Sequence, residues 1–81
     1  MNEIYFDIIE NYDNLCLYLI DFYGVDAKIL NYAFTIEGTN EKTLNNICWY
    51  IGAYRDIYQL VECEDQSKIY KDYNLKFFEN D

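Results

Sequence analysis

The sequence predicts an α+β fold: a small single-layer antiparallel sheet of about three strands covered by two helices, in the order α-β-α-β-β. Three observations lead to it. Apolar residues recur every three or four positions in two stretches, they alternate one by one in a third, and the part after Arg55 is rich in strand-favouring residues around a polar break. With 81 residues, 52% hydrophobic and 20% aromatic, the chain is below the usual length of one domain and far too apolar for a disordered tail. Residues 1–81 therefore read as a single compact domain. A core this small leaves little room for a deep cleft, and the 10 Tyr and 5 Phe supply apolar area that a short chain otherwise lacks.

The first helix is expected from about Glu3 to Tyr23, because Ile4, Ile8, Tyr12, Leu15, Leu19 and Phe22 share a helical spacing. Gly24 stands where a left-handed cap would end it. The alternative division is a strand from Ile4 to Ile9 and a helix from Asp13. From Ala27 to Glu37 the pattern alternates, with Leu30, Tyr32, Phe34 and Ile36 on one face of a strand. Gly38-Thr39-Asn40 breaks the strand, and Asn40 or Thr39 can cap a second helix, with Glu41 in its first turn against the helix dipole. That helix puts Leu44, Ile47, Cys48, Ile51 and Tyr54 on one side. Ile57 to Cys63 and Lys68 to Phe78 then read as a hairpin around Glu64-Asp65-Gln66-Ser67, although the stretch from Arg55 could instead prolong the second helix.

The charge is uneven. Fifteen acids stand against six bases, for a net −9. Residues 1–26 hold six acids and no base, residues 27–61 three of each, and residues 62–81 six acids and three bases. On one long first helix Glu3, Asp7, Glu10, Asn14 and Asp21 would fall within roughly 80° of one another, an acidic ridge about 27 Å long. Like charges three and four residues apart weaken a helix, and no Lys or Arg is interleaved to relieve them. The bland alternative is a solvated face that keeps a Tyr-rich domain soluble.

Such a balance argues against direct nucleic-acid binding, which rests on Lys and Arg at phosphates, and points to a basic protein partner met by electrostatic steering. Catalysis has little to work with: there is no His, one Arg (Arg55), and no glycine-rich phosphate loop or nucleophile motif. Glu62, Glu64 and Asp65 could pair for acid/base work or, with Asp21 or Asp26, bind a cation weakly, but at a solvated hairpin turn they are better read as a turn kept polar for solubility. No cofactor or metal is expected. No run is apolar enough to span a membrane, and Met1-Asn2-Glu3 lacks the basic start of a secretory signal, so the cytoplasm is the expected compartment, that of the host cell if the protein is viral.

Cys16, Cys48 and Cys63 have no metal-ligand spacing and are expected to be buried or half-buried thiols, with an intermolecular disulfide as the alternative. Trp49 projects away from the apolar side of the second helix and is a candidate contact residue, or else a cover for the sheet edge. Tyr50, Tyr54, Tyr58, Tyr70 and Tyr73 suit a thin core and a protein-binding face equally.

In size, acidity, Tyr and Asn content and want of catalytic residues, the chain resembles the small inhibitors that bacteriophages encode against host defences. Among these, some anti-CRISPR and anti-restriction proteins act as nucleic-acid mimics. The resemblance implies a non-enzymatic inhibitor that blocks a basic, nucleic-acid-binding surface of a host protein through Glu3, Asp7, Glu10 and Asp21, joined by Glu62, Glu64, Asp65 and Trp49. The alternative is an antitoxin or immunity protein that neutralises one basic toxin or nuclease. A third class is a structural or regulatory subunit bound through the surface around Trp49. A second copy of the chain is a further candidate partner.

Overall fold

A computed structural model describes the backbone of residues 3–80 and the side chains of residues 4–78. The chain is mixed helix and strand. In order it forms β1 (Glu3–Phe6), α1 (Tyr12–Tyr23), α2 (Ala27–Ile36), α3 (Glu41–Gly52), α4 (Ile57–Cys63), a π-helical turn (Lys68–Asp72) and β2 (Phe77–Asn80). Its radius of gyration, 12.1 Å, matches the roughly 12 Å of a folded chain this long. Two strands are present among the described residues in place of the expected three.

The long first helix is divided, as in the alternative division. Ile4-Tyr5-Phe6 is a β-branched and aromatic run that favours extended backbone. Asp7 then closes a turn: its Oδ1 accepts the N–H groups of Ile9 (3.0 Å) and Glu10 (3.2 Å), a local bond that competes with helix. In α1, Leu15, Tyr18 and Leu19 are buried at helical spacing. Gly24 ends the helix in the left-handed region (φ 69°). Its N–H donates to Ile20 O (3.0 Å) and that of Val25 to Leu19 O (3.2 Å), the paired bonds of a Schellman cap.

The expected strand over Ala27–Glu37 is a helix. Leu30 and Phe34 satisfy an alternating stripe and an i, i+4 helical one alike, and both are buried, whereas Tyr32 and Ile36 stand exposed. Asp26 decides the matter by capping the helix, its Oδ1 accepting the Lys28 N–H at 2.8 Å. The second expected helix is present as α3. Asn40 caps it through Thr43 N–H (3.0 Å) and Glu41 lies in the first turn.

The expected hairpin is also replaced. Ile57, Leu60 and Val61 bury the helical side of α4, while a strand there would have mixed Gln59 with Ile57 and Val61 on one face. Asp56 Oδ1 accepts the Gln59 N–H (2.9 Å) and Gln59 Oε1 accepts the Arg55 N–H (2.6 Å), close to a capping box. In the π-helical turn Ile69 is buried and Lys68 pairs with Asp72 at 3.0 Å. Of the expected last strand, Lys68 to Phe78, only Phe77 and Phe78 belong to a strand, β2, which runs on to Asn80, and with residues 27–36 and 57–63 helical, β1 is the partner left for it.

β1 and β2 run antiparallel with Tyr5 opposite Phe78 and Phe6 opposite Phe77. Their rings meet at 5.5 Å and 4.9 Å. A two-stranded ribbon is marginal alone, and this one is tied down twice. The Phe6 N–H donates to the Tyr58 hydroxyl (2.9 Å). The buried Asn11 side chain donates to Asp7 O (2.8 Å) and Lys76 O (3.0 Å) and accepts the Lys76 N–H (2.8 Å). The core lies between the helices, centred on Leu15, Tyr18, Leu19, Leu44, Ile57 and Leu60, with Phe6 entering from the ribbon.

Candidate functional site

The acidic ridge does not form, because its first members are not helical. Glu3 lies on β1 and its side chain is outside the described residues. Asp7 is half-buried and spends its carboxylate on the turn, Glu10 is exposed beyond it, and Asp21 is exposed on α1. What remains is a stripe on α1 in which Asp13, Leu17 and Asp21 follow one another by four residues, all exposed, with the two carboxylates about 12 Å apart along the axis.

Glu62, Glu64 and Asp65 lie at the end of α4 instead of at a hairpin turn, and they separate. Glu62 is exposed on the helix, Asp65 Oδ1 accepts the Ser67 N–H (2.9 Å), and Glu64 is half-buried. The Tyr54 hydroxyl donates to Glu64 Oε1. The same bond holds the Tyr54 phenol up at about 12, because an ionised phenolate could no longer donate to the carboxylate and would set a second negative charge beside it. The Tyr18 hydroxyl donates to that of Tyr23 at 3.4 Å, and burial pushes both phenols up. These tyrosines stay protonated at neutral pH, so the group serves as a structural clasp around Glu64.

Burial raises the thiols of Cys48, to about 12, and Cys16. Cys63 is exposed, contrary to expectation, because the buried side of α4 passes through residues 57, 60 and 61.

Trp49 and Tyr50 are 67% and 69% exposed at the end of α3, and Ile29, Tyr32 and Ile36 form an apolar stripe on the outer side of α2. A concavity of about 490 Å³ joins these elements, lined by Ile29, Tyr50 and Ile51 with Asp26 at its edge.

A second concavity, about 380 Å³, opens between the ribbon and α4, lined by Ile4, Tyr58, Val61, Glu62, Gln66, Tyr70 and Phe77. The Tyr58 and Tyr70 rings lie 6.2 Å and 5.8 Å from Phe77, at 66° and 74° to it, so the three rings form walls of different orientation. Val61 is buried and Tyr58 and Phe77 are half-buried, while Ile4, Glu62, Gln66 and Tyr70 are exposed at the mouth. From sequence, Tyr58 and Tyr70 stand out only as surplus tyrosines, and nothing singles out Phe77 or Gln66. No local motif links residues 4, 58 and 77; the ribbon brings them together.

Two ion pairs form among the described residues, Arg55–Asp56 (3.2 Å) and Lys68–Asp72 (3.0 Å). Among those residues there is no cluster of acids and cysteines fit to hold a metal ion, and no helix is long and apolar enough to cross a membrane. Comparison of the chain with protein-family models, with curated proteins and with solved structures gives no match.

Proposed function

We propose that the chain is a non-enzymatic inhibitor of the kind phages encode against host defence, blocking a basic nucleic-acid-binding surface of a host protein with its own negative charge. The charge carries this reading: net −9, with six acids and no base in residues 1–26. Glu10, Asp13 and Asp21 are exposed and join neither of the two ion pairs formed among the described residues. Burial of carboxylates against a basic patch gives fast, salt-sensitive association.

The absence of a helical ridge changes how the acids would be read. They form a scattered field around α1 and the end of α4, which suits a broad basic groove better than a single line of phosphate sites. The test is a charge reversal that spares the fold. Asp7 is unsuitable because its carboxylate closes the turn, so Glu10→Lys with Asp21→Lys is the informative pair. The tagged wild-type chain should retain a basic host protein at ~0.05 M salt and release it at ~0.5 M salt, where exposed charges are screened within about 4 Å. Duplex DNA should displace it, and the reversed variant should not retain it. Retention that survives both high salt and charge reversal would mean that the exposed aromatic surface, and not charge, does the binding.

A further inference from the structure

We propose that the concavity between the ribbon and α4 is a receptor for one arginine side chain of the basic partner. The site is small, about 380 Å³, at the low end for a ligand pocket and of a size for one side chain. It is lined by the rings of Tyr58, Tyr70 and Phe77, with Tyr58 and Tyr70 each set edge-to-face against Phe77. An organic cation seated among aromatic rings is held by the negative potential of their faces. The exposed mouth carries Glu62 and Gln66, which offer a carboxylate and an amide oxygen as acceptors. Among the described residues no Lys or Arg lines the site.

Arginine fits better than lysine. A guanidinium is planar, weakly hydrated on its faces and carries five N–H donors at its edge, so it can stack on a ring while bonding to two acceptors. An ammonium would keep its water and meet Glu62 as a point charge. Tyr58 is held in place from outside the cavity, since its hydroxyl accepts the Phe6 N–H, and a wall fixed in advance costs less to bind against. The acidic field of the whole chain would draw a basic surface in, and this site would select one residue of it.

The assignment rests on the inhibitor reading, but its test needs no partner, so the two can fail separately. Aromatic resonances of the full chain are followed by NMR during titration with N-acetyl-arginine methylamide, its neutral isostere N-acetyl-citrulline methylamide, and N-acetyl-lysine methylamide. The arginine probe should shift the Tyr58, Tyr70 and Phe77 rings saturably in the millimolar range, with the other two at least about fivefold weaker. Glu62→Gln should weaken the arginine probe about 3- to 10-fold, while Glu37→Gln, an exposed acid away from the cavity, leaves it unchanged. Citrulline binding as well as arginine would make the site a plain apolar hollow and overturn the proposal. Lysine binding equally would overturn the choice of arginine, and shifts no larger here than along α1 would reduce the effect to general charge attraction.

Discussion

The side-chain amide of Asn11 takes both backbone groups of Lys76, donating to its carbonyl at 3.0 Å and accepting its N–H at 2.8 Å. A single side chain thus stands in for one rung of a β-ladder, just ahead of β2 and 65 residues away in sequence. At 2% exposure, it does so where water cannot replace it. Asn11→Ala should cost about 1–3 kcal/mol in urea unfolding, because it removes three part-buried hydrogen bonds at once. Asn11→Asp cannot donate when ionised. Its deficit should shrink in acid as the carboxyl takes up a proton, and a deficit that ignores pH would contradict the assigned geometry.

Ala53 ends α3 in the left-handed region at φ 57°, where its Cβ is strained. Ala53→Gly should raise stability by about 0.5–1 kcal/mol in thermal or urea melts. The neighbouring position behaves in the opposite way. A Cβ on Gly52 would come within 2.6 Å of the Tyr54 ring, which Glu64 holds in place. Gly52→Ala should therefore destabilise the protein by about 1 kcal/mol despite its better helix propensity.

The bond from Tyr54 to Glu64 links stability to alkaline pH. The phenol is held at about 12 in the folded chain against an ordinary 10, so the folded state binds its proton more tightly than the unfolded one. The stabilisation is complete below pH 10 and is lost as pH rises towards 12. Ultraviolet titration should show several tyrosinates arriving late, Tyr54 together with the buried Tyr18 and Tyr23, and Glu64→Gln should bring one of them back towards 10. An unchanged titration in that variant would remove Glu64 as the cause.

Thiol chemistry should sort the cysteines by exposure. Cys63 is exposed, Cys16 half-buried and Cys48 buried, and burial holds the last two thiols in their unreactive protonated form. Ellman's reagent should label one thiol per folded chain promptly, the Cys16 thiol more slowly, and that of Cys48 only on unfolding. Oxidation should give a covalent dimer that Cys63→Ser abolishes. Prompt labelling that persists in Cys63→Ser would show that one of the other two is more open than its packing indicates.

What was legible from sequence was what depended on neighbours in the chain. Gly24 and Asn40 announce their caps, and α3 announces its buried side through Leu44, Ile47 and Cys48. Residues 27–37 were misread because Leu30 and Phe34 lie four apart, which serves strand and helix equally; the deciding signal was the Asp26 cap. Residues 57–63 were misread for a similar reason, with Asp56 and Gln59 overlooked as a cap pair. The acidic ridge failed with the first helix, once the Asp7 turn was missed. The ring-lined concavity was illegible in principle, since its walls come from positions 4, 58, 70 and 77 and meet only through tertiary pairing.

The ribbon joins Glu3 to Asn80, so its closure must wait for the helices between to assemble, and the long loop it closes makes it the part most easily reopened. Ile4 and Phe77 of the concavity belong to that ribbon. The cavity therefore depends on the element expected to open most readily. Amides of residues 4–6 and 77–79 should exchange with deuterium sooner than those of α1, and an occupant of the cavity should slow them. A partner that grips this site would recognise the finished molecule and pass over a chain whose helices alone have formed.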